Sequence, residues 1–184
     1  MNLYRFEKIG FDSVYRINYP SFGGIGRNSK KLFEIKDGDV LFDLGFIPTE
    51  SMLLSSEQGV LRGMHYQSEN CRRQNKLLYV LTGNIELAIV DLRGDEETYG
   101  KWEKINISEE DNTCIYIPKE FAIGTLAETN VLMQILYDGS HEEGSDRGFR
   151  FDDKEIGIEW GMDADRIIVS EKDLKLPLFK QRES

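Results

Sequence analysis

Hydrophobic positions in the middle of the chain alternate with polar ones at the period expected for β-strands. The stretch KLLYVLTGNIELAIVDL, residues 76–92, contains two such runs around Thr82, Gly83 and Asn84, which predicts a hairpin. Runs of the same character occupy residues 59–65, 113–117, 124–127 and 131–137. Short strands separated by polar turns favour an antiparallel sandwich or barrel, and a large barrel can hold a ligand among its inward side chains.

Helical periodicity is weak throughout the chain. The segment LSSEQ, residues 54–58, is too short to assign, and SEKDL, residues 170–174, predicts a single turn. The glycine cluster FGGIG, residues 22–26, predicts a loop, and it lacks the strand-to-helix context of a phosphate-binding loop. We therefore predict one all-β domain with short helical decorations, spanning residues 1–184.

Composition narrows the class of protein. The chain has 184 residues, enough for one domain with a core, and its 40% hydrophobic and 30% charged residues are typical of folded proteins. No run is long enough to span a membrane, and the N-terminal MNLYRFEKIG lacks the apolar core of a signal peptide. We therefore expect a cytoplasmic protein without a membrane partner.

Charge and cysteine content exclude further classes. The net charge of -10 argues against nucleic-acid binding, which needs many phosphate-facing cations, but it permits a small phosphorylated ligand. Cys71 and Cys114 show neither metal-ligand spacing nor a disulfide framework, so both are predicted to be reduced structural thiols.

The stretch GVLRGMHYQ, residues 59–67, contains His65, one of only two histidines in the chain. In a regular strand Arg62 would face one side of the sheet and His65 the other. A bulge or bend at Gly63 would bring them to one face. By itself His65 is more typical of a half-buried sheet histidine than of a catalytic one. His141, in the acidic loop GSHEEGS, is predicted to lie at the surface.

Several motifs in the same order resemble the dTDP-4-dehydrorhamnose 3,5-epimerase family. GVLRGMHYQ is followed by KLLYVLTGNIELAIVDLR, TYGKWEKINIS, IYIPKEFAIG, RGFRFDDKEIGIEW and VSEKD, so the resemblance extends from about residue 58 to the C-terminus. It implies a jelly-roll, cupin-like double-stranded β-barrel, a homodimer, and no metal or dissociable cofactor. It also implies that the partner is a nucleotide-diphosphate-linked keto-deoxysugar, a 4-keto-6-deoxyhexose inverted at C3 and C5, the carbons beside the C4 ketone.

The resemblance assigns catalytic roles to four residues. A histidine base would remove the proton beside the ketone, a cation would stabilise the enolate, and an acid on the opposite face would return a proton. The matching positions are His65 as the base, Asp173 as its orienting carboxylate, Lys76 as the cation and, with one residue inserted before it, Tyr137 as the acid. Singly, Lys76, Tyr137 and Asp173 would be a solvated charge, a core aromatic and a salt-bridge residue.

The resemblance also implies a set of substrate-binding residues. Arg62 would bind the diphosphate, a task that suits the fork geometry of a guanidinium group. The other candidates are Phe33, Glu34, Glu50 and Gln67. The family binds its nucleotide partly through residues of the partner subunit.

Some positions depart from the family pattern. Ile123 replaces the usual histidine of F-A-H-G, which implies a drier site, and Glu50, Met52 and Leu54 occupy the region of the Q-x-N-x-S strand. A different nucleotide, a different deoxysugar and inversion at a single carbon therefore stay open. Two alternatives also remain: a 3,4-ketoisomerase, with base and acid on one face, and a non-catalytic sugar-binding cupin.

Overall fold

The computed structural model describes residues 4–25, 27–34, 40–68, 74–139 and 141–181. Within them the strands are β1 Arg5–Ile9, β2 Phe11–Asn18, β3 Ser21–Gly24, β4 Arg27–Lys30, β5 Glu50–Ser56, β6 Val60–Gln67, β7 Lys76–Thr82, β8 Asn84–Asp91, β9 Trp102–Ser108, β10 Thr113–Ile117, β11 Phe121–Ala127, β12 Val131–Tyr137, β13 Asp146–Gly148 and β14 Ile168–Val169. The helices are α1 Val40–Asp43 and α2 Glu171–Leu174, with 3-10 turns at Ala164–Arg166 and Phe179–Gln181.

Two large sheets face each other. The first sheet has the order β1-β2-β10-β7-β12-β5, and the second has the order β13-β6-β11-β8-β9, with β14 parallel to β6. Strands that are adjacent in the chain often lie in different sheets, which is the connectivity of a jelly roll. The prediction of an all-β, cupin-like jelly-roll barrel with short helical decorations is confirmed.

The predicted hairpin at residues 76–92 is wrong in its pairing. Both strands exist, but β7 pairs with β10 and β12 in the first sheet, whereas β8 pairs with β9 and β11 in the second. The chain crosses between the sheets at Gly83, whose φ of 81° is a conformation that favours glycine. Both strands are almost wholly buried. Pairing with neighbours on both sides within a larger sheet stabilises each strand more than an isolated two-stranded ribbon would.

Other predicted elements agree closely with the structure. Residues 113–117 and 131–137 are β10 and β12, and residues 59–65 and 124–127 lie mostly within β6 and β11. The turn predicted at residues 170–174 is α2, with Ser170 as its N-cap. The loop predicted at residues 22–26 is wrong for Phe22, Gly23 and Gly24, because they belong to β3 and pair with β4; Gly26 lies outside the described residues.

Three apolar clusters hold these layers together. The largest lies between the sheets and includes Leu78 and Val80 of β7, while Leu77 and Tyr79 of the same strand pack on the outer face of the first sheet. A third cluster, around Phe149, covers the outer face of the second sheet. Since inward and outward positions alternate, Lys76 at the start of β7 points toward the barrel interior.

Two further features bear on the predictions from composition. Cys114 is buried with a free thiol, and burial raises its pKa to about 12, whereas Cys71 lies outside the described residues. In the part of the chain that the structure describes, no helix has both the length and the apolar character needed to cross a membrane.

Candidate active site

A cavity of about 270 Å³ lies between the two sheets at one end of the barrel. Its walls include six of the predicted site residues: Glu50, Arg62, His65, Gln67, Lys76 and Tyr137. Further lining residues are Met52, Leu54, Tyr66, Gln74, Ile123, Thr125, Met133, Ile135, His141, Asp146, Arg147, Lys172 and Leu176. These six residues therefore converge on one cavity from strands of both sheets.

A β-bulge at Gly63 turns Arg62 and His65 to the same face. On β11, Ile123 pairs with His65 and Thr125 pairs with Arg62, so three steps along β6 oppose two steps along β11. Gly63 has a φ of 126°, and a Cβ atom there would lie 2.7 Å from the Cα of Gly124. Only glycine fits this position, and the hypothesis of a bulge at Gly63 is confirmed.

His65 and Asp173 form a close pair although 108 residues separate them in the chain. The His65 Nε2 and Asp173 Oδ1 atoms are 2.8 Å apart, with the imidazole 44% exposed and the carboxylate only 6% exposed. The Gly63 N–H donates to Asp173 Oδ2 at 3.4 Å, and the Ser170 hydroxyl accepts from the Asp173 N–H at 3.1 Å. The carboxylate is thereby fixed against the ring.

The net pKa of Asp173 reflects opposing influences. Burial pushes the pKa of this carboxyl up, but the hydrogen bond and charge of His65, together with the Gly63 N–H and the Ser170 hydroxyl, hold the pKa below its ordinary value. The group is therefore a carboxylate at neutral pH. A buried carboxylate beside an imidazole stabilises the imidazolium that forms when the ring accepts a proton.

Lys76 and Tyr137 lie together on the opposite wall. They are directly paired between β7 and β12. Lys76 is 6% exposed, and its Nζ donates to the Gln74 carbonyl at 3.2 Å. Burial lowers the pKa of Lys76 to about 8, against the opposing effect of nearby carboxylates. Burial and the charges of Glu50 and Asp146 raise the pKa of Tyr137 to about 12, so its phenol stays protonated.

A polar network connects the two walls beside Tyr137. Glu50 pairs with Tyr137, and its Oε2 accepts the His141 N–H at 3.0 Å and the Gln74 side-chain amide at 3.5 Å. Gln74 and Gln67 form two hydrogen bonds with each other, at 2.7 and 2.8 Å. His141 is half exposed, as predicted, but the prediction from its polar loop missed that it also lines the cavity.

Arg62 lies at the end of the cavity beside Ser56, whereas Tyr137 and Glu50 lie at the opposite end of β5. Its Nε donates to the Ser56 hydroxyl at 2.9 Å, and its Nη2 donates to the Ser55 carbonyl at 2.8 Å. These bonds hold the guanidinium against the first sheet. Sequence reasoning did not select Arg147 and Lys172, two further cations on the lining, although both lie in motifs that carry the resemblance.

Phe33 and Glu34 lie away from this cavity. The segment after β4 runs along the outer face of the first sheet, where Phe33 packs against the apolar cluster. Glu34 forms an ion pair with Lys31 at 2.9 Å. The structure brings neither residue to the cavity of its own chain. Their substrate-binding role stays a prediction, and it requires a neighbouring subunit.

The described residues contain no group of three or more histidine, cysteine, aspartate or glutamate side chains arranged to hold a metal ion. The two histidines are each close to one aspartate: His65 to Asp173 at 2.8 Å and His141 to Asp146 at 3.8 Å. The chemistry that this donor set offers is proton transfer by imidazole, phenol and ammonium groups.

Comparisons with known proteins match the chain to one family. Residues 37–181 match the profile of a family described as dTDP-4-dehydrorhamnose 3,5-epimerase. The enzyme of that name from Methanothermobacter thermautotrophicus is 38% identical over 120 residues, which are 64% of this chain and 64% of the relative. The matched region thus spans just under two thirds of that relative's length.

Solved structures cover more of the chain. The dTDP-4-dehydrorhamnose 3,5-epimerase of Elizabethkingia anophelis has a TM-score of 0.88 and 26% identity, covering 97% of this chain and 98% of the other. The enzyme of the same name from Bacillus anthracis has a TM-score of 0.85 and 29% identity, covering 95% and 99%. Together with the family match over most of the sequence, these likenesses establish that the chain belongs to the dTDP-4-dehydrorhamnose 3,5-epimerase family.

Proposed function

We propose that this chain is a cofactor-independent epimerase that inverts C3, C5 or both in a nucleotide-linked 4-keto-6-deoxyhexose. One observation carries the proposal: a histidine held by a buried carboxylate and a protonated tyrosine line opposite walls of a single cavity, with a buried lysine beside the tyrosine. Titratable groups with shifted pKa values that converge in a cleft are typical of catalytic sites.

His65 is the proposed base. Its Nε2 faces Asp173 Oδ1 at 2.8 Å, so the tautomer that donates to the carboxylate leaves Nδ1 able to accept a proton. The acidic hydrogen is one on a carbon beside the ketone, because the electron pair left behind delocalises onto the carbonyl oxygen. The carboxylate then stabilises the imidazolium.

Lys76 is the proposed enolate stabiliser. Its ammonium group is buried, so its charge is screened less than in water and acts strongly on a developing oxyanion. One such preorganised donor is typically worth about 3–4 kcal/mol in the transition state. With a pKa of about 8, the group is charged below that pH and progressively neutral above it.

Tyr137 is the proposed acid. It belongs to the first sheet and His65 to the second, so a proton returned by the phenol reaches the face opposite to the one deprotonated. Return on the opposite face inverts the carbon, whereas a 3,4-ketoisomerase needs base and acid on one face. The opposed walls therefore favour epimerisation over the isomerase, and the shifted pKa values favour an enzyme over a sugar-binding cupin.

Arg62 is the proposed ligand of the diphosphate, at the end of the cavity remote from Tyr137. The Bacillus anthracis enzyme has TDP and PPi bound, which supports a diphosphate ligand of this kind.

We also propose a homodimer. Ile47, which precedes β5, and Leu53, within β5 at the edge of the first sheet, are 67% and 61% exposed. A contiguous exposed apolar patch is typical of a protein interface, and these side chains would contribute to one. Sedimentation of the purified protein tests this.

Deuterium exchange tests the proposed function. The protein is incubated with dTDP-4-keto-6-deoxyglucose in deuterated water and followed by proton NMR. We expect deuterium at carbons beside the ketone, with the ketone remaining at C4. A carbonyl that moves to C3 would identify the isomerase, and no exchange with dTDP- or UDP-linked substrate would identify a binding protein.

A substitution at His65 tests its assignment as the base. His65→Asn keeps the approximate shape of the side chain but removes the base, so exchange should fall by at least about 100-fold, the low end of a general base's contribution. The thermal unfolding midpoint of the variant should match that of the wild type, which confirms an intact fold. Exchange retained at the wild-type rate would refute the role of His65.

A further inference from the structure

The surroundings of the proposed base are apolar on its own sheet. Ile123 pairs directly with His65 between β11 and β6, and both line the cavity. Directly paired residues on antiparallel strands have Cβ atoms about 4.5–5.5 Å apart. A branched hydrocarbon side chain, 8% exposed, is therefore the lateral neighbour of the imidazole.

The facing wall is apolar at the same level. Gln74 forms hydrogen bonds both to Glu50, at the start of β5, and to Gln67, at the end of β6. At the other end of the two strands, Arg62 of β6 donates to Ser56 of β5. These contacts show that β5 and β6 face each other and run in opposite directions. The β5 residues between Glu50 and Ser56 therefore face the part of β6 that contains His65.

Those intermediate positions carry hydrocarbon side chains. Met52 and Leu54 lie between the two contacts on β5 and line the cavity. Met52 pairs with Ile135 of β12, and Leu54 pairs with Met133. Both partners also line the cavity and are nearly fully buried. Hydrocarbon side chains therefore lie both beside His65, at Ile123, and on the facing strand, at Leu54 and at Met52, which is 42% exposed.

Three of the polar lining residues, Gln67, Lys76 and Tyr137, already have other partners or roles. The Gln67 amide donates to and accepts from Gln74, and Lys76 and Tyr137 are placed for the ketone oxygen and the returning proton. A hydroxyl group held against Ile123 would lose bonds to water there, because this hydrocarbon side chain offers no hydrogen-bonding partner. Such a loss lowers the rate or affinity by about 5- to 150-fold.

The two carbons beside the ketone differ in this respect. C3 carries a hydroxyl group, whereas C5 carries the C6 methyl group. We propose that this site deprotonates C5 in preference to C3, with Ile123 as a specificity-determining residue. The inference rests on the proposed function. The C5–H bond breaks, its electron pair delocalises into the C4 carbonyl, His65 takes the proton, and Tyr137 returns one to the opposite face.

The rates of exchange at the two carbons test this directly. With dTDP-4-keto-6-deoxyglucose in deuterated water, we expect the wild-type protein to incorporate deuterium at C5 at least about tenfold faster than at C3, within the range for an unpaired hydroxyl. Equal rates, or faster exchange at C3, would overturn the preference while leaving an epimerase. Absence of exchange at both carbons would remove the proposed function, and this inference with it.

A matched pair of variants tests the role of Ile123. Ile123→Thr and Ile123→Val have nearly the same shape, but only the threonine offers a hydrogen-bonding group. We expect the threonine variant to raise the C3-to-C5 exchange ratio about fivefold, the effect of one hydrogen bond, and the valine variant to leave it within about twofold. Equal shifts in both variants, or none in the threonine variant, would refute Ile123 as the determinant.

Discussion

Replacing Asp173 with asparagine removes the negative charge beside His65 while preserving size and shape. The carboxylate is 6% exposed and lies 2.8 Å from Nε2. Two unit charges about 4 Å apart interact by about 4 kcal/mol at an effective dielectric constant of 20. The imidazole is 44% exposed, so solvent screens roughly half of this, leaving about 2 kcal/mol for the imidazolium. This corresponds to about a 30-fold loss in kcat.

The asparagine also favours the wrong tautomer. Its amide can donate to Nε2, which leaves the ring proton on Nδ1, the nitrogen that has to accept the substrate proton. In serine proteases the equivalent substitution costs about 10⁴-fold, so the 30-fold loss from charge alone is a lower bound for Asp173→Asn.

The assay is the initial rate of deuterium exchange at saturating substrate. Asp152→Asn serves as the control, because it breaks the surface pair between Asp152 and Arg150, whose atoms are 2.6 Å apart, and should leave the rate unchanged. An Asp173→Asn rate within about threefold of the wild type would contradict the electrostatic and tautomeric role of Asp173.

Two further substitutions probe the opposite wall and the bulge. The wild-type rate should fall above pH 8 as Lys76 loses its charge, and Lys76→Met should slow exchange by at least about 100-fold. Since the pKa of Lys76 falls from 10.5 to about 8 on folding, wild-type stability should rise between pH 8 and 10.5, and chemical denaturation of Lys76→Met should show no such rise. Gly63→Ala should cost about 3 kcal/mol or more in urea unfolding, because φ is 126° and the new Cβ meets backbone at 2.7 Å; an undiminished midpoint would contradict this.

Alternation along the chain predicted the central strands because they are buried and regular. It did not predict which strands pair, since β7 and β8 have the pattern of a hairpin yet belong to opposite sheets. It also missed β5, where mostly exposed residues at a sheet edge leave a weak hydrophobic signal. Strand existence follows from local pattern, whereas pairing depends on contacts distant in sequence.

The candidate site also combines features that local sequence predicts with features that depend on contacts distant in sequence. The bulge at Gly63 followed from a local rule, because glycine within a strand marks an irregularity. The contact between His65 and Asp173 joins positions 108 residues apart, and only the ordered family motifs indicated it. His141 was predicted from a polar loop to be surface-exposed. The structure adds that His141 lines the cavity and that its N–H donates to Glu50.

The central claim is that His65 and Tyr137 act from opposite walls. The most direct measurement follows deuterium incorporation and product configuration together by NMR for Tyr137→Phe in deuterated water. Deprotonation by His65 persists in this variant, so we expect deuterium to enter the substrate while inversion falls by at least about 100-fold, the low end of a general acid's contribution. Inversion at the wild-type rate would contradict the account.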